Sequence, residues 1–240
     1  GGDAMAIGEY AQRSDEDVSE LVLGNDVRPA WIRQIDNQDT LYLSALRLTR
    51  QDGELMAENN VIIEQRDIRG VGDSLHWIND RGLIRVWGQP QMWTDQDQMT
   101  GDTLILMLEE QKPTMLQLRG HAVVLSPAND SLAHRVQGRD LDAVFDEGAL
   151  SEVHVVGNGE VTTFDVPEKG VVGNIRINSA LCASLVMTIR DQKLTGINLQ
   201  QHPRGTIQTV NSNTPLDAFH IEVFPANGPW ETWIPTGLPE

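Results

Sequence analysis

Along most of the chain, apolar residues alternate with polar ones at period two in short runs: TLYLSALRL over 40–48, NVIIEQ over 60–65, GLIRVWG over 82–88, TMLQLRG over 114–120, EVHVVG over 152–157 and VTTF over 161–164. Between them lie Gly-, Asn-, Asp- and Pro-rich joints such as RQDGEL, INDRG, SPAND and FDEGA. Alternation of this kind puts one face of an extended segment against a core, and the joints carry the residues that tight turns require. The pattern predicts an all-β chain, with one helix at most, over Ser14–Leu21.

Two anchors recur through these runs. The first is Gly or Asn followed shortly by an apolar residue: LGNDV at Gly24, ENNV at Asn59, WGQPQM at Gly88, RGHAVV at Gly120 and VGNGEV at Gly157. The second is a Gly-Asp-x-Leu relative: QDTLYL at Asp39, GDSLHW at Gly72, GDTLIL at Gly101, GRDLDA at Gly138 and GNIRIN at Gly173. Each recurs roughly every 30–37 residues, the mark of a repeat in which stacked units share a core that no single unit could close. Glycines at the anchors predict bends or bulges where strands turn a corner. One domain built of repeats is expected over 1–200. The Pro- and Trp-rich residues 201–240 are expected as an extension or cap at the end of the stack.

At equivalent places in these anchors stand Leu41, Leu43, Leu75, Trp77, Leu104, Leu106 and Leu141, continued by Ile175 and Ile177, and, for the first anchor, Val27, Val61, Met92, Val123 and Val161. With their side chains turned inward they either fill a β-sandwich core or line a groove that takes an apolar ligand. Which face of each strand points inward is set by register, and a slip of one residue inverts it.

The rest of the sequence removes alternatives. A net charge of −17, from 35 acidic and 18 basic residues, argues strongly against non-specific nucleic-acid binding, which needs a basic face. No apolar run is long enough for a membrane-spanning helix. The lone Cys182 lies in SALCASLVM and is expected as a small buried hydrophobe. The histidines at 76, 121, 134, 154, 202 and 220 lack the close spacing of a metal site. Asp95/Asp97 and Asp140/Asp142 are the carboxylate pairs available to a β-solenoid carbohydrate-active enzyme, with the tryptophans at 31, 77, 87, 93, 230 and 233 as platforms. No phosphate loop or nucleophile elbow accompanies them, so no enzyme, cofactor or metal is expected. The opening GGDAMAIGEY carries no leader signature, which leaves a cytosolic protein or one whose leader lies upstream.

The ordered alternation of LVLGNDV and VHVVGNGEV with VGDSLHW and MTGDTLIL, over roughly residues 20–200, resembles the OstA-like (organic solvent tolerance A) family of lipopolysaccharide-transport proteins. The stretch GRDLDAVFDEGALSEVHVVGNGEVTTF, then VVGNIRINSALCASLVMTIRDQKLTGINL, is similar to the variant found in the Bacteroidetes. The resemblance implies an elongated antiparallel β-jellyroll, a V-shaped, solenoid-like stack of short strands open at both ends. It further implies a periplasmic or outer-membrane-associated location after removal of a signal peptide, and a groove for the acyl chains of lipopolysaccharide or a related glycolipid. Other modules of the family would then join head to tail by strand addition. The strongly negative charge departs from what a carrier of a phosphate-bearing glycolipid would need: the headgroup stays outside the protein, divalent cations bridge it, or the same scaffold serves another purpose. A structural or interaction β-domain of a cell-envelope assembly, with a filled core, is the alternative.

Overall fold

The computed structural model describes residues 3–7, 11–13, 21–23, 30–36, 39–65, 68–94, 97–110, 112–129, 132–147, 149–167, 173–190 and 193–211. The expected helix at Ser14–Leu21 lies outside them except for Leu21, which is in a strand. In chain order come β1 (Asp3–Ile7), β2 (Ala11–Arg13), β3 (Leu21–Leu23), β4 (Ala30–Asp36), β5 (Asp39–Ala45) and β6 (Arg47–Gln51). Next are β7 (Glu54–Gln65), β8 (Ile68–Ile78), β9 (Leu83–Trp87), β10 (Gln91–Trp93), β11 (Gln98–Thr100) and β12 (Thr103–Glu109). The long strands follow: β13 (Lys112–Pro127), β14 (Ala133–Asp146), β15 (Ala149–Asp165) and β16 (Asn174–Arg190), then β17 (Lys193–Gln200) and β18 (Arg204–Asn211). A 3₁₀ turn, Asn79–Arg81, joins β8 to β9. The fold is all-β, antiparallel and jellyroll-like, as the period-two alternation predicts.

All the strands join in one hydrogen-bonded network, but each long strand turns a corner and so belongs to two half-sheets. The first half runs β1-β4-β5-β7-β8-β10-β11-β13-β14-β15-β16-β18. The second runs β2-β3-β6-β7-β8-β9-β12-β13-β14-β15-β16-β17. Thus the Leu83–Trp87 strand and the Gln91–Trp93 strand both lie beside β8, one against each part of it.

The corners are made by the anchors, and they come in two kinds. In β7, β13 and β15 the ladder slips at Asn59-Asn60, Gly120-His121 and Gly157-Asn158, and both residues of each pair have positive φ. Gly88-Gln89, between β9 and β10, repeats the device. Opposite each such pair stands a corner of the second kind. At Gly101-Asp102, the Asp102 N–H donates to the carbonyls of Arg119 at 2.9 Å and Gly120 at 2.8 Å. Gly120, at φ 69°, has no room for a side chain: a Cβ there would meet the Asp102 carboxylate at 2.1 Å. Gly157 likewise sits under Arg139, whose Cβ would be 2.8 Å from a Cβ added at Gly157. The two anchors read separately in the sequence are therefore the two sides of one corner.

Two second-type anchors are not corners. Asp39 and Gly173 stand at strand starts; the corresponding turns fall at Leu46, whose N–H donates to the Asn59 carbonyl at 2.9 Å, and at Cys182–Ser184. A further positive-φ pair, Gln201-His202 between β17 and β18, carries the pattern past residue 200 without glycine.

The inner faces of both halves join in one apolar cluster. Leu43, Val61, Met92, Val136 and Val161 come from the first half, and Leu48, Leu75, Leu104, Leu116, Leu118, Leu141, Val155 and Leu185 from the second. Most are exposed to 1 % or less, burial that stabilises by about 1.5–3 kcal/mol per large side chain. A second, smaller cluster of Leu132, Phe164, Ile175 and Ile177 lies on the opposite face of the first half.

Candidate functional site

The corner geometry decides which of the predicted interior residues face inward. A positive-φ pair preserves the alternation: Ala57 and Val61, Leu118 and Ala122, and Val155 and Gly159 are inner residues on either side of one. The corner of the second kind advances by three positions, with two residues between inner ones, so Leu75 is followed inward by Gly72, Leu141 by Gly138 and Leu185 by Cys182.

Leu41 and Leu43 share the inner face of β5, and Leu43, Val61, Leu75, Leu104, Leu141, Val161 and Met92 are buried in the main cluster. Trp77 and Leu106 pack against it while only partly buried. Val27 lies outside the described residues. Val123, Ile175 and Ile177 do not join this face. After Gly120-His121 the inner positions are Ala122 and Val124, which leaves Val123 on the other side, in a hollow with Trp93, Gln98 and Leu125. Ile175 and Ile177 were counted from Gly173, but the corner of β16 lies at Cys182, and inward alternation from Cys182 passes through Ala180. Those two isoleucines belong to the second cluster instead.

Sequence reasoning missed the residues where the interior reaches the surface. β16 is flanked at its far side by β17 along one half and β18 along the other. Ile197 of β17 pairs with Met187, and Leu199 with Leu185, so both carry the inner face. Ile207 of β18 pairs with Asn178, beside Ala180, again on the inner face. Yet Ile197 is 40 % exposed and Ile207 72 %. Among the described residues, β17 and β18 pair only with β16, leaving their outer edges open. The signal was available in KLTGINL and RGTIQTV, whose alternation continues that of the earlier strands.

Charged groups line the outer faces and corners in short partnerships. Arg119 bridges to Asp142 at 2.6 Å, and Asp140 accepts from Arg139 at 2.8 Å and from the Gly120 N–H at 3.3 Å. These contacts, the Arg139 hydrogen bond foremost, hold the Asp140 carboxyl below the usual carboxylate range. Asp97 accepts from the Ser126 hydroxyl, and its N–H donates to Thr94; Asp95 lies outside the described residues. His76, His121 and His154 each contact one carboxylate, of Glu54, Asp102 and Glu152. His134 accepts the Phe164 N–H at 3.2 Å through Nδ1, and burial lowers its pKa from 6.5. Cys182 is buried, and burial raises its thiol pKa. Among the described residues no His/Cys/Asp/Glu group is arranged to hold a metal ion. Trp77 faces the interior and Trp93 the opposite side; Trp230 and Trp233 lie outside the described residues.

Fold and site define an all-β protein of two half-sheets around an apolar interior that, among the described residues, is edged at one end by β17 and β18 with Ile197 and Ile207 exposed. No family model matches the chain, and no curated protein matches it. Among solved structures it is similar to the crystal structure of LptH, the LptA-homologous periplasmic component of the lipopolysaccharide transport device of Pseudomonas aeruginosa. That similarity spans 60 % of this chain and 94 % of LptH, at 18 % identity and a TM-score of 0.44.

Proposed function

We propose that the chain is a periplasmic, non-catalytic scaffold that takes lipopolysaccharide by its lipid A acyl chains and carries it towards the outer membrane. Joining to further modules of its kind occurs head to tail at open sheet edges. One observation supports this reading: the apolar inner faces run through both halves in one cluster and end at Ile197 and Ile207, exposed on β17 and β18, which among the described residues pair only with β16. An acyl chain laid on such a surface gains about 0.8 kcal/mol for each methylene it buries, and an unpaired edge accepts a further strand through main-chain hydrogen bonds. The acidic outer surface keeps the anionic headgroup in solvent, where its charge is screened. The second reading, a structural or interaction module with a filled core, is favoured by the complete burial of Leu43, Leu75, Leu118 and Leu185 in the middle of the interior.

Photo-crosslinking separates the two. A photoreactive amino acid replaces Trp77, Leu106, Ile197 or Ile207 on the inner face, or Val123, Val156 or Leu181 on the other, in protein exported to the periplasm of cells that make lipopolysaccharide. Adducts confined to the inner-face set are expected. Folded protein with no glycolipid adduct at any position hands the assignment to the filled-core module.

A further inference from the structure

The paired ends of β13 and β14 are tied to their neighbours by side chains. Within the pair the ladder runs on, with Ser126 opposite His134 and Pro127 opposite Ala133, and the Ala128 N–H donates to the Leu132 carbonyl at 2.8 Å. To either side it stops short: among the described residues the β11–β13 pairing ends at Gln98–Leu125 and the β14–β15 pairing at Arg135–Thr162. One step further along β14 and β15, a continued ladder would set Ala133 opposite Phe164 and join them through the main chain. Instead the Phe164 N–H donates to Nδ1 of His134 at 3.2 Å. On the other flank the Ser126 hydroxyl donates to Asp97. An imidazole thus stands in for a backbone carbonyl. It can do so only while neutral, with the lone pair on Nδ1 and the ring proton on Nε2.

The smaller apolar cluster straddles this gap. Leu132 directly precedes β14 and is buried, Phe164 lies on β15, and Ile177 stands opposite Phe164 on β16. The main interior begins on β14 only at Val136, inside the intact ladder. We propose that His134 is an acid-released latch: protonation of its ring gives up the Phe164 N–H, parts the end of β14 from β15 and separates Leu132 from Phe164, while the main interior stays folded. Once both ring nitrogens carry protons, an N–H confronts an N–H across the gap, and the end of β14 loses its one imidazole tie to β15. The charged groups on the neighbouring elements are engaged elsewhere. Asp97 holds Ser126, the residue opposite His134 on β13, and Asp165 is paired with Arg176 at 2.7 Å across β15 and β16. Arg135 turns to the other face of β14. Burial lowers the pKa of His134 from 6.5, so the latch is closed above that pH and opens as pH falls below it. Local opening of this kind needs only the contacts at one strand end. The device lies at the cluster on the opposite face of the first half and does not rest on the lipid reading.

The test uses the full chain and begins without any substitution. Nuclear magnetic resonance follows the His134 ring and the Phe164 amide through an acid titration, and both should move with one midpoint, below 6.5. A Phe164 amide that ignores the His134 transition overturns the proposal. Hydrogen exchange, corrected for the intrinsic effect of pH, reads the opening itself. Protection of the Phe164 amide should fall about tenfold between about pH 7 and about pH 5, while the amides of Leu141 and Val155 keep theirs. Equal protection at both pH values, or a loss shared by the whole sheet, refutes a local latch. His134→Gln retains an acceptor but takes no proton, and should hold Phe164 protected at both pH values. His134→Ala has no acceptor and should leave Phe164 unprotected at both. A pH dependence that persists in His134→Gln assigns the effect to another group and removes His134 from it.

Discussion

If the two anchors are the two sides of one corner, glycines of the second kind are required for space rather than for backbone conformation, and Gly138 isolates that requirement. Its φ is outside the left-handed region, so alanine brings no backbone strain there and by itself should stabilise slightly through the unfolded chain. A Cβ at Gly138, however, would lie 2.3 Å from Cγ1 of Val155 and 3.3 Å from the Gly157 carbonyl oxygen. Apolar carbons rest at about 3.5–4.0 Å, so Val155 must retreat by more than an ångström. It is 0 % exposed, and a β-branched side chain has few other rotamers to move into. Overpacking of this kind costs about 1–3 kcal/mol, which for a chain of this size is about 2–4 °C in Tm per kcal/mol. Val155→Ala removes the clashing methyl at its own cavity cost, and in that background Gly138→Ala should be neutral or stabilising. The assay is denaturant unfolding of wild type, both single variants and the double, followed by tryptophan fluorescence and far-UV circular dichroism. A coupling of about 1–3 kcal/mol is expected, well above the scatter of about 0.5 kcal/mol for independent sites. Equal costs for Gly138→Ala in the two backgrounds would refute the packed corner. Gly120→Ala should behave differently: its φ of 69° makes alanine cost about 1–2 kcal/mol from the backbone alone, and that part should persist when Asp102 is also changed to alanine.

The remaining expectations concern packing and pH. Leu118, paired with Leu141 across β13 and β14 and wholly buried, should cost about 2–5 kcal/mol when changed to alanine, measured by the same unfolding experiment. Asp140 is held more acidic in the fold by Arg139, so its stabilisation is present above the ordinary carboxylate range and lost as pH falls through its lowered folded pKa. Asp140→Asn should therefore be less stable than wild type at neutral pH, with the gap closing in strong acid; a gap that does not change with pH removes the ion from the account. For His134 the folded state binds a proton less readily than the unfolded chain, so stability is full above pH 6.5 and declines as pH falls below it. His134→Gln keeps an acceptor for the Phe164 N–H and should flatten that decline between pH 7 and 5; an undiminished slope would assign it to other groups.

The strands and the existence of corners were legible because both are written locally. Alternation in TMLQLRG or EVHVVG is a property of neighbours, and Gly120 or Asn59 signals a left-handed residue by its own chemistry. The register was not legible at every strand, because it depends on which kind of corner a strand turns. Placing Val123 inward counts from Gly120 alone, with two residues between, whereas the positive-φ pair takes up His121 as well, leaves only Ala122 between and turns Val123 outward. Ile175 and Ile177 were misplaced for a different reason: Gly173 imitates an anchor at a strand start, while the working corner at Cys182, Ala183 and Ser184 uses small residues and no glycine. Gln201-His202 was passed over on the same ground. A corner stabilised by its partner strand can be built from ordinary residues, and then only the pairing reveals it.

The distribution of burial along the interior sets where any bound chain could gain free energy. In the middle, Leu75, Leu118 and Leu185 have no exposed surface left, so a ligand there must first displace contacts worth as much as those it makes. At the β16–β18 end, Ile197 and Ile207 still present apolar area to solvent, and covering that area is a gain with nothing given up. The two regions therefore respond separately to mutation. Leu118→Ala should lower stability and leave end-on association of the remaining folded protein unchanged. Ile207→Asp, at a side chain already largely solvated, should leave the unfolding midpoint nearly unchanged and abolish whatever covers that end. Loss of fold and loss of association in parallel for both variants would mean that the interior is a single unit, with no distinct open end.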